Sequence, residues 1–178
     1  MALTLASASP QRRKILEDAG IPFEVRPAHV DEDETGDPAA VAEANARRKA
    51  EAVPGSLVLG ADTIVALGGT ALGKPEDEAQ AREYLRRLAG RTHEVIGGIA
   101  IARDGAVTAA AVVHTSVRFR AIGPALLDWY VATGEWRGRA GGYAIQGEGA
   151  ALVERLEGDY LNVVGLALDR LKVLLDTA

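Results

Sequence analysis

The sequence predicts an α/β fold: a mixed β-sheet with flanking helices. Three observations carry that expectation. The first residues run from an apolar strand-like stretch through Ser7-Ala8-Ser9 into the helix start Pro10-Gln11-Arg12-Arg13. Leu57 to Ala61 is a continuous apolar run of the kind buried in a sheet. Two long strand-like segments, Glu94 to Arg103 and Ala106 to Arg120, are joined by Asp104-Gly105, a strong hairpin signal. Strand–helix units favour parallel pairing and hairpins require antiparallel pairing, so the sheet is mixed.

Taken in order, Thr4 to Ala6 reads as a strand and Pro10 to Ala19 as a helix. Ser9 suits the N-cap and Pro10 the first helical position. Ile15, Leu16 and Ala19 share a face, and Gly20 followed by Pro22 stops the helix. Phe23 to Arg26 is a short strand, and His29 to Gly36 an acidic loop. Asp37-Pro38 repeats the cap-then-proline signal and opens a helix to about Val53, with Glu43 and Arg47 paired at i,i+4. Leu57 to Ala61 then delivers Asp62 at its end. Thr63 to Leu67 and Thr70 to Leu72 form a hairpin around Gly68-Gly69. Glu76 to Ala89 is an amphipathic helix closed by Gly90. After the long hairpin, Pro124 to Thr133 is a helix with Leu126, Leu127 and Tyr130 as its buried stripe. Gly134 to Gly142 is a loop rich in glycine and arginine, Tyr143 to Arg155 mixes turn and strand, and a last helix runs from about Val164 to Leu175.

The 178 residues fit one domain, 1–178, able to bury a core without staples. There is no cysteine, which removes disulfides and cysteine-ligated zinc. A net charge of −5 argues against a nucleic-acid surface, though not against a small anionic substrate met by local cations. No apolar stretch approaches a membrane span, and no secretory leader is visible, so the expected location is the cytoplasm.

The strand–loop–helix junction at the start is the strongest physical hint of function. It aims backbone N–H groups and the positive end of a helix dipole at one point. Arg12 and Arg13 add cations where the dipole disfavours them, and an external anion would relieve that conflict. Gly68 to Lys74 matches most of a Walker A pattern, but the position that must be Ser or Thr is Pro75, so the pattern is rejected. His29, His93 and His114 share no ligand spacing and read as surface or satisfied histidines. Asp62 is either a turn or cap aspartate or an acid at the mouth where such sheets place ligands. Asp31, Glu32, Asp33 and Glu34 read mostly as a solvated acidic loop, of which one could lend an oxygen to magnesium. Lys49 is a surface lysine or one that reaches a phosphate.

Eight stretches in register resemble the Maf family of nucleoside triphosphate pyrophosphatases. They are Leu5 to Pro10 with Arg12, Val30-Asp31-Glu32, Arg48-Lys49-Ala50, Gly60 to Thr63, Gly73-Lys74-Pro75, Gly90 to His93, Tyr143 to Gly147, and Asn162 to Leu166. The resemblance implies a Maf or inosine triphosphatase-like fold with two lobes around a central cleft, and a homodimer. It implies hydrolysis of a nucleoside triphosphate to the monophosphate and pyrophosphate with a divalent metal (Mg, Mn or Co). Carried onto this chain, it marks Ser9, Arg12, Lys49 and Lys74 as phosphate contacts, with Lys74 in the catalytic set. It marks Glu32 and Asp62 as catalytic or metal-facing acids, and Arg12, Thr63 and Gln146 as setting base preference. Gln146 in its Ile-Gln-Gly setting resembles the branch acting on dTTP and UTP. The chain departs from the family pattern at Gln11, where a second arginine is common, so Arg13 is the candidate replacement, and at Ala167, where proline is common. Two alternatives remain: a non-catalytic nucleotide-binding regulator of cell division, and a phosphatase that removes the γ-phosphate.

Overall fold

The computed structural model describes residues 3–177. Seven strands form one sheet in the order β2-β1-β3-β5-β6-β7, with β4 paired to β3. Strand β1 (Leu3–Leu5) lies parallel to both β2 (Phe23–Val25) and β3 (Val58–Leu67). The remaining pairs are antiparallel: β3 with β4 (Thr70–Leu72) and β5 (Thr92–Arg103), β5 with β6 (Ala106–Phe119), and β6 with β7 (Val153–Glu157). The mixed sheet is therefore as expected.

Helix α1 (Pro10–Asp18) follows β1, α2 (Pro38–Ala52) precedes β3, α3 (Glu78–Leu88) follows β4, and α4 (Pro124–Thr133) follows β6. Ser9 and Asp37 cap α1 and α2, each with proline at the helix start, as the sequence signals require.

Two expectations fail. The strand expected to stop at Ala61 runs on to Leu67, so Asp62 sits inside β3 rather than at its end. The reason is the partner strand: β5 pairs continuously with β3 from Val58↔Ala102 to Ala66↔Glu94, leaving no gap at Asp62↔Gly98 or Thr63↔Gly97. The helix expected from about Val164 begins only at Leu168, as α6 (Leu168–Thr177), and an unexpected short helix, α5 (Tyr160–Val164), precedes it. Gly165 separates them with φ 147°, a conformation closed to most side chains and incompatible with a continuing helix.

The two largest apolar clusters lie on the long strands. Leu5, Ile15, Leu16, Leu59, Ile99, Ile101 and Leu171 cluster near one end. Leu67, Leu85, Val95, Phe119, Tyr130 and Trp136 cluster near the other. These cores give the fold its two lobes. Helix α2 lies flat on the sheet between Ala46, Ala50, Val58 and Ala100. It comes so close that a Cβ on Gly60 would overlap the Ala46 carbonyl, and one on Gly98 the Ala42 carbonyl.

Candidate active site

A cleft of about 1190 Å³ opens where the lobes meet. Its walls include Ser9, Arg12, Glu32, Lys49, Asp62, Thr63, Lys74 and Gln146. Eight of the nine site residues expected from sequence are thus brought together from across the chain. Arg13 is the exception. It lies on the outer face of α1 beside Glu17, Ile21 and Phe23, away from this cleft. The reason is helical geometry: successive residues point about 100° apart, so Arg12 and Arg13 cannot share a target.

Arg12 is buried, 8% exposed, contrary to the exposed arginine of an ordinary helix start. Its Nε donates to the Gly165 carbonyl at 2.9 Å, Nη1 to Ser7 Oγ at 2.9 Å and Nη2 to Thr63 Oγ1 at 3.1 Å. All three acceptors are uncharged. Burial pushes the guanidinium below its ordinary value, and the charges of Asp62 and Glu32 oppose that shift. It stays a cation, because arginine does not lose its proton in proteins. A buried cation with no contacting carboxylate among the described residues, at the mouth of a cleft, is built for an anion from outside. Ser9 caps the same helix by accepting from the Arg12 N–H at 3.4 Å.

The acids sit opposite. Asp62, 8% exposed, is held at both oxygens. Lys49 Nζ lies 3.0 Å from Oδ1, and Asn45 Nδ2 donates to Oδ2 at 3.0 Å. Lys49 also meets Glu32 Oε2 at 3.1 Å and the Ala61 carbonyl at 3.4 Å. The sequence marks Lys49 as a phosphate contact; in the fold its ammonium hydrogen-bonds Asp62 and the Ala61 carbonyl and forms an ion pair with Glu32, so it bridges the two acids. The acidic loop is only partly the solvated segment expected. Asp33 bonds Asn45 through its own N–H (2.8 Å) and carbonyl (3.0 Å), and its side chain pairs with Arg48 at 2.9 Å.

Lys74 is exposed to the cleft from the loop after β4. The Gly141 N–H donates to the Gly73 carbonyl at 3.0 Å, tying that loop to the arginine-rich one. Gln146 is exposed at the same opening. Tyr143 is buried in the wall, and its hydroxyl lies 2.8 Å from His93 Nε2. His93 is thus a core histidine, satisfied at Nε2 but with Nδ1 buried and without a partner among the described residues, whereas His29 and His114 are exposed.

Sequence reasoning missed two cleft residues. Asn45 gave no signal beyond standing one turn before Lys49 on the same helix face. Arg139 also lines the cleft. Its loop stood out by composition, but composition did not separate it from Arg137, which stacks on the Trp136 ring 4.5 Å away.

Among the described residues no cluster of three or more histidines and acids could cage a metal ion. The fit is of another kind. Glu32 and Asp62 offer hard oxygen donors on the cleft wall, both within reach of the Lys49 ammonium. A magnesium-like ion often takes one or two carboxylates and completes its shell with phosphate and water.

Comparison with known proteins identifies the family. The Maf-like protein family matches residues 2–178. A dTTP/UTP pyrophosphatase of Anaeromyxobacter sp. (strain Fw109-5) is 50% identical over 99% of this chain and 89% of its own. A dTTP/UTP pyrophosphatase of Pyrococcus furiosus is 44% identical over 93% of this chain and 90% of its own. Among solved structures, a HAM1 protein from Coxiella burnetii shares the fold over the full length of both chains, with a TM-score of 0.53 and 18% identity. The match from one end to the other, and relatives half identical throughout, mean that this chain belongs to the Maf family.

Proposed function

We propose that the protein hydrolyses a nucleoside triphosphate, with dTTP and UTP as the preferred substrates, to the monophosphate and pyrophosphate. One observation carries the reading: buried, carboxylate-free Arg12 and exposed Lys74 line the same cleft as the Asp62–Lys49–Glu32 cluster. Relatives 44% and 50% identical, both named dTTP/UTP pyrophosphatase, support the substrate class.

Arg12, Lys74 and the Ser9 hydroxyl take the triphosphate oxygens, which is the positioning and charge stabilisation that phosphoryl chemistry needs. Asp62 orients the attacking water and accepts its proton. The water oxygen bonds to the α-phosphorus, the bond to the bridging oxygen breaks, and pyrophosphate leaves. Lys49 holds Asp62 and Glu32 in place despite their like charge. Glu32 and Asp62 would hold a divalent cation (magnesium, manganese or cobalt). When bound, such an ion supplies Lewis-acid polarisation and neutralises phosphate charge.

Base preference falls to Gln146, with Thr63 and Arg12. Thymine and uracil present an N3–H between two carbonyls, and one glutamine amide offers both a donor and an acceptor. The reading also includes a homodimer, on family resemblance alone, and the cytoplasmic location expected from the sequence.

Chromatography of the products from dTTP or UTP with magnesium tests the reaction. The expected products are the monophosphate and pyrophosphate. A diphosphate with orthophosphate would make the protein a phosphatase, and binding without turnover would make it a sensor.

A further inference from the structure

Asn45 is a polar side chain on an otherwise alanine-rich face of α2, and it is 2% exposed. Its amide is fully used. Nδ2 donates to Asp62 Oδ2 and to the Asp33 carbonyl, each at 3.0 Å. Oδ1 accepts from the Asp33 N–H at 2.8 Å and from Arg48 at 3.3 Å.

We infer that Asn45 is a positioning residue for hydrolysis, locking Asp62 and the loop that carries Glu32 into one arrangement through a single amide. The inference rests on the reading that Asp62 acts on the attacking water. The chemistry is selective. A donor must meet the carboxylate, while a donor and an acceptor together meet both backbone groups of Asp33. Aspartate lacks the donor, leucine lacks both, and glutamine is one methylene too long. Lys49, one turn further along α2, takes the other oxygen of Asp62 and reaches Glu32. The helix thus presents an amide and an ammonium side by side, one for each carboxylate oxygen. That arrangement occupies two of about four acceptor sites on Asp62 and fixes the plane of the group. Because Asp33 adjoins Glu32 in the chain, pinning Asp33 at both backbone groups also sets where Glu32 can reach.

A double-mutant cycle with the full chain, dTTP and magnesium tests this. Asn45→Ala is expected to lower kcat about 10- to 100-fold, the usual effect of removing a group that orients a reactive one, with KM within about threefold. Asp62→Asn lowers kcat by about 10²–10⁴-fold. Adding Asn45→Ala to it should cost less than about a further twofold, because the group Asn45 acts on is already gone. A role in stability alone would give independent, multiplying losses. Amide hydrogen exchange adds a readout without substrate: the Asp33 N–H should exchange faster in Asn45→Ala. If Asn45→Ala does not fold, Asn45→Ser carries the same cycle. Unchanged kcat, a rise in KM alone, or multiplying losses would overturn the inference. If Asp62→Asn keeps wild-type turnover, the underlying reading of the site fails instead.

Discussion

Arg12 and Gln146 show two ways in which one side chain prepares the cleft. Arg12 is immobilised by three uncharged oxygens, so its charge remains available to a ligand. Gln146 is exposed and structurally idle, so removing it should leave the fold intact. Gln146→Ala is expected to lower the kcat/KM ratio of dTTP over CTP by about tenfold, the equivalent of one or two neutral hydrogen bonds. An unchanged ratio would remove Gln146 from base recognition. His93 makes a different prediction. Burial lowers its pKa to about 4, against about 6.5 in an unfolded chain. Between those values the unfolded chain binds a proton that the folded one refuses. Stability is therefore complete above about pH 6.5 and falls as pH drops through the window. His93→Gln should reduce the loss of unfolding free energy between pH 7 and pH 5 by about 2 kcal/mol in urea titrations. An equal loss in both proteins would assign the slope to other groups.

Helix α2 is the element on which the acids depend, since it supplies Asn45, Lys49 and Arg48. Its closeness to the sheet rests on Gly60 and Gly98. In Gly60→Ala the new methyl would meet backbone atoms of Ala46 and Ala50, which cannot rotate away. Overpacking of this kind is expected to cost about 3 kcal/mol or more, read as a lower Tm with turnover lost together with the fold. A Tm within a degree or two of wild type would show that the helix can lift without penalty. Most elements were legible because their ends carry local chemistry: proline after a cap at α1 and α2, Asp104-Gly105 between β5 and β6. The ends that misled lack it. Nothing local says that β3 continues past Asp62, because the cause is pairing with β5, more than thirty positions away in the chain. At Gly165 the glycine was visible, but neither its φ of 147° nor its contact with Arg12 is written in the neighbouring residues.

The cleft is a product of topology. Its walls come from the β1–α1 loop, the acidic loop, α2, the middle of β3, the loop after β4, the arginine-rich loop and the end of α5. Types and order of the site residues were readable from motifs, but their mutual contacts were not. Lys49 shows this: the sequence marked a cation, and only the folded arrangement shows it held between two acids. The same holds for Asn45, whose partners Asp33 and Asp62 lie 12 and 17 positions away. Arg12 presses the point furthest, for its Nε is fastened to the carbonyl of Gly165, 153 positions on. During synthesis on a ribosome, the Ser7 and Thr63 partners of this arginine emerge early, whereas its Gly165 anchor emerges only after 153 further residues. A nascent chain therefore holds this arginine by two of its three contacts well before the third closes the cleft's far side.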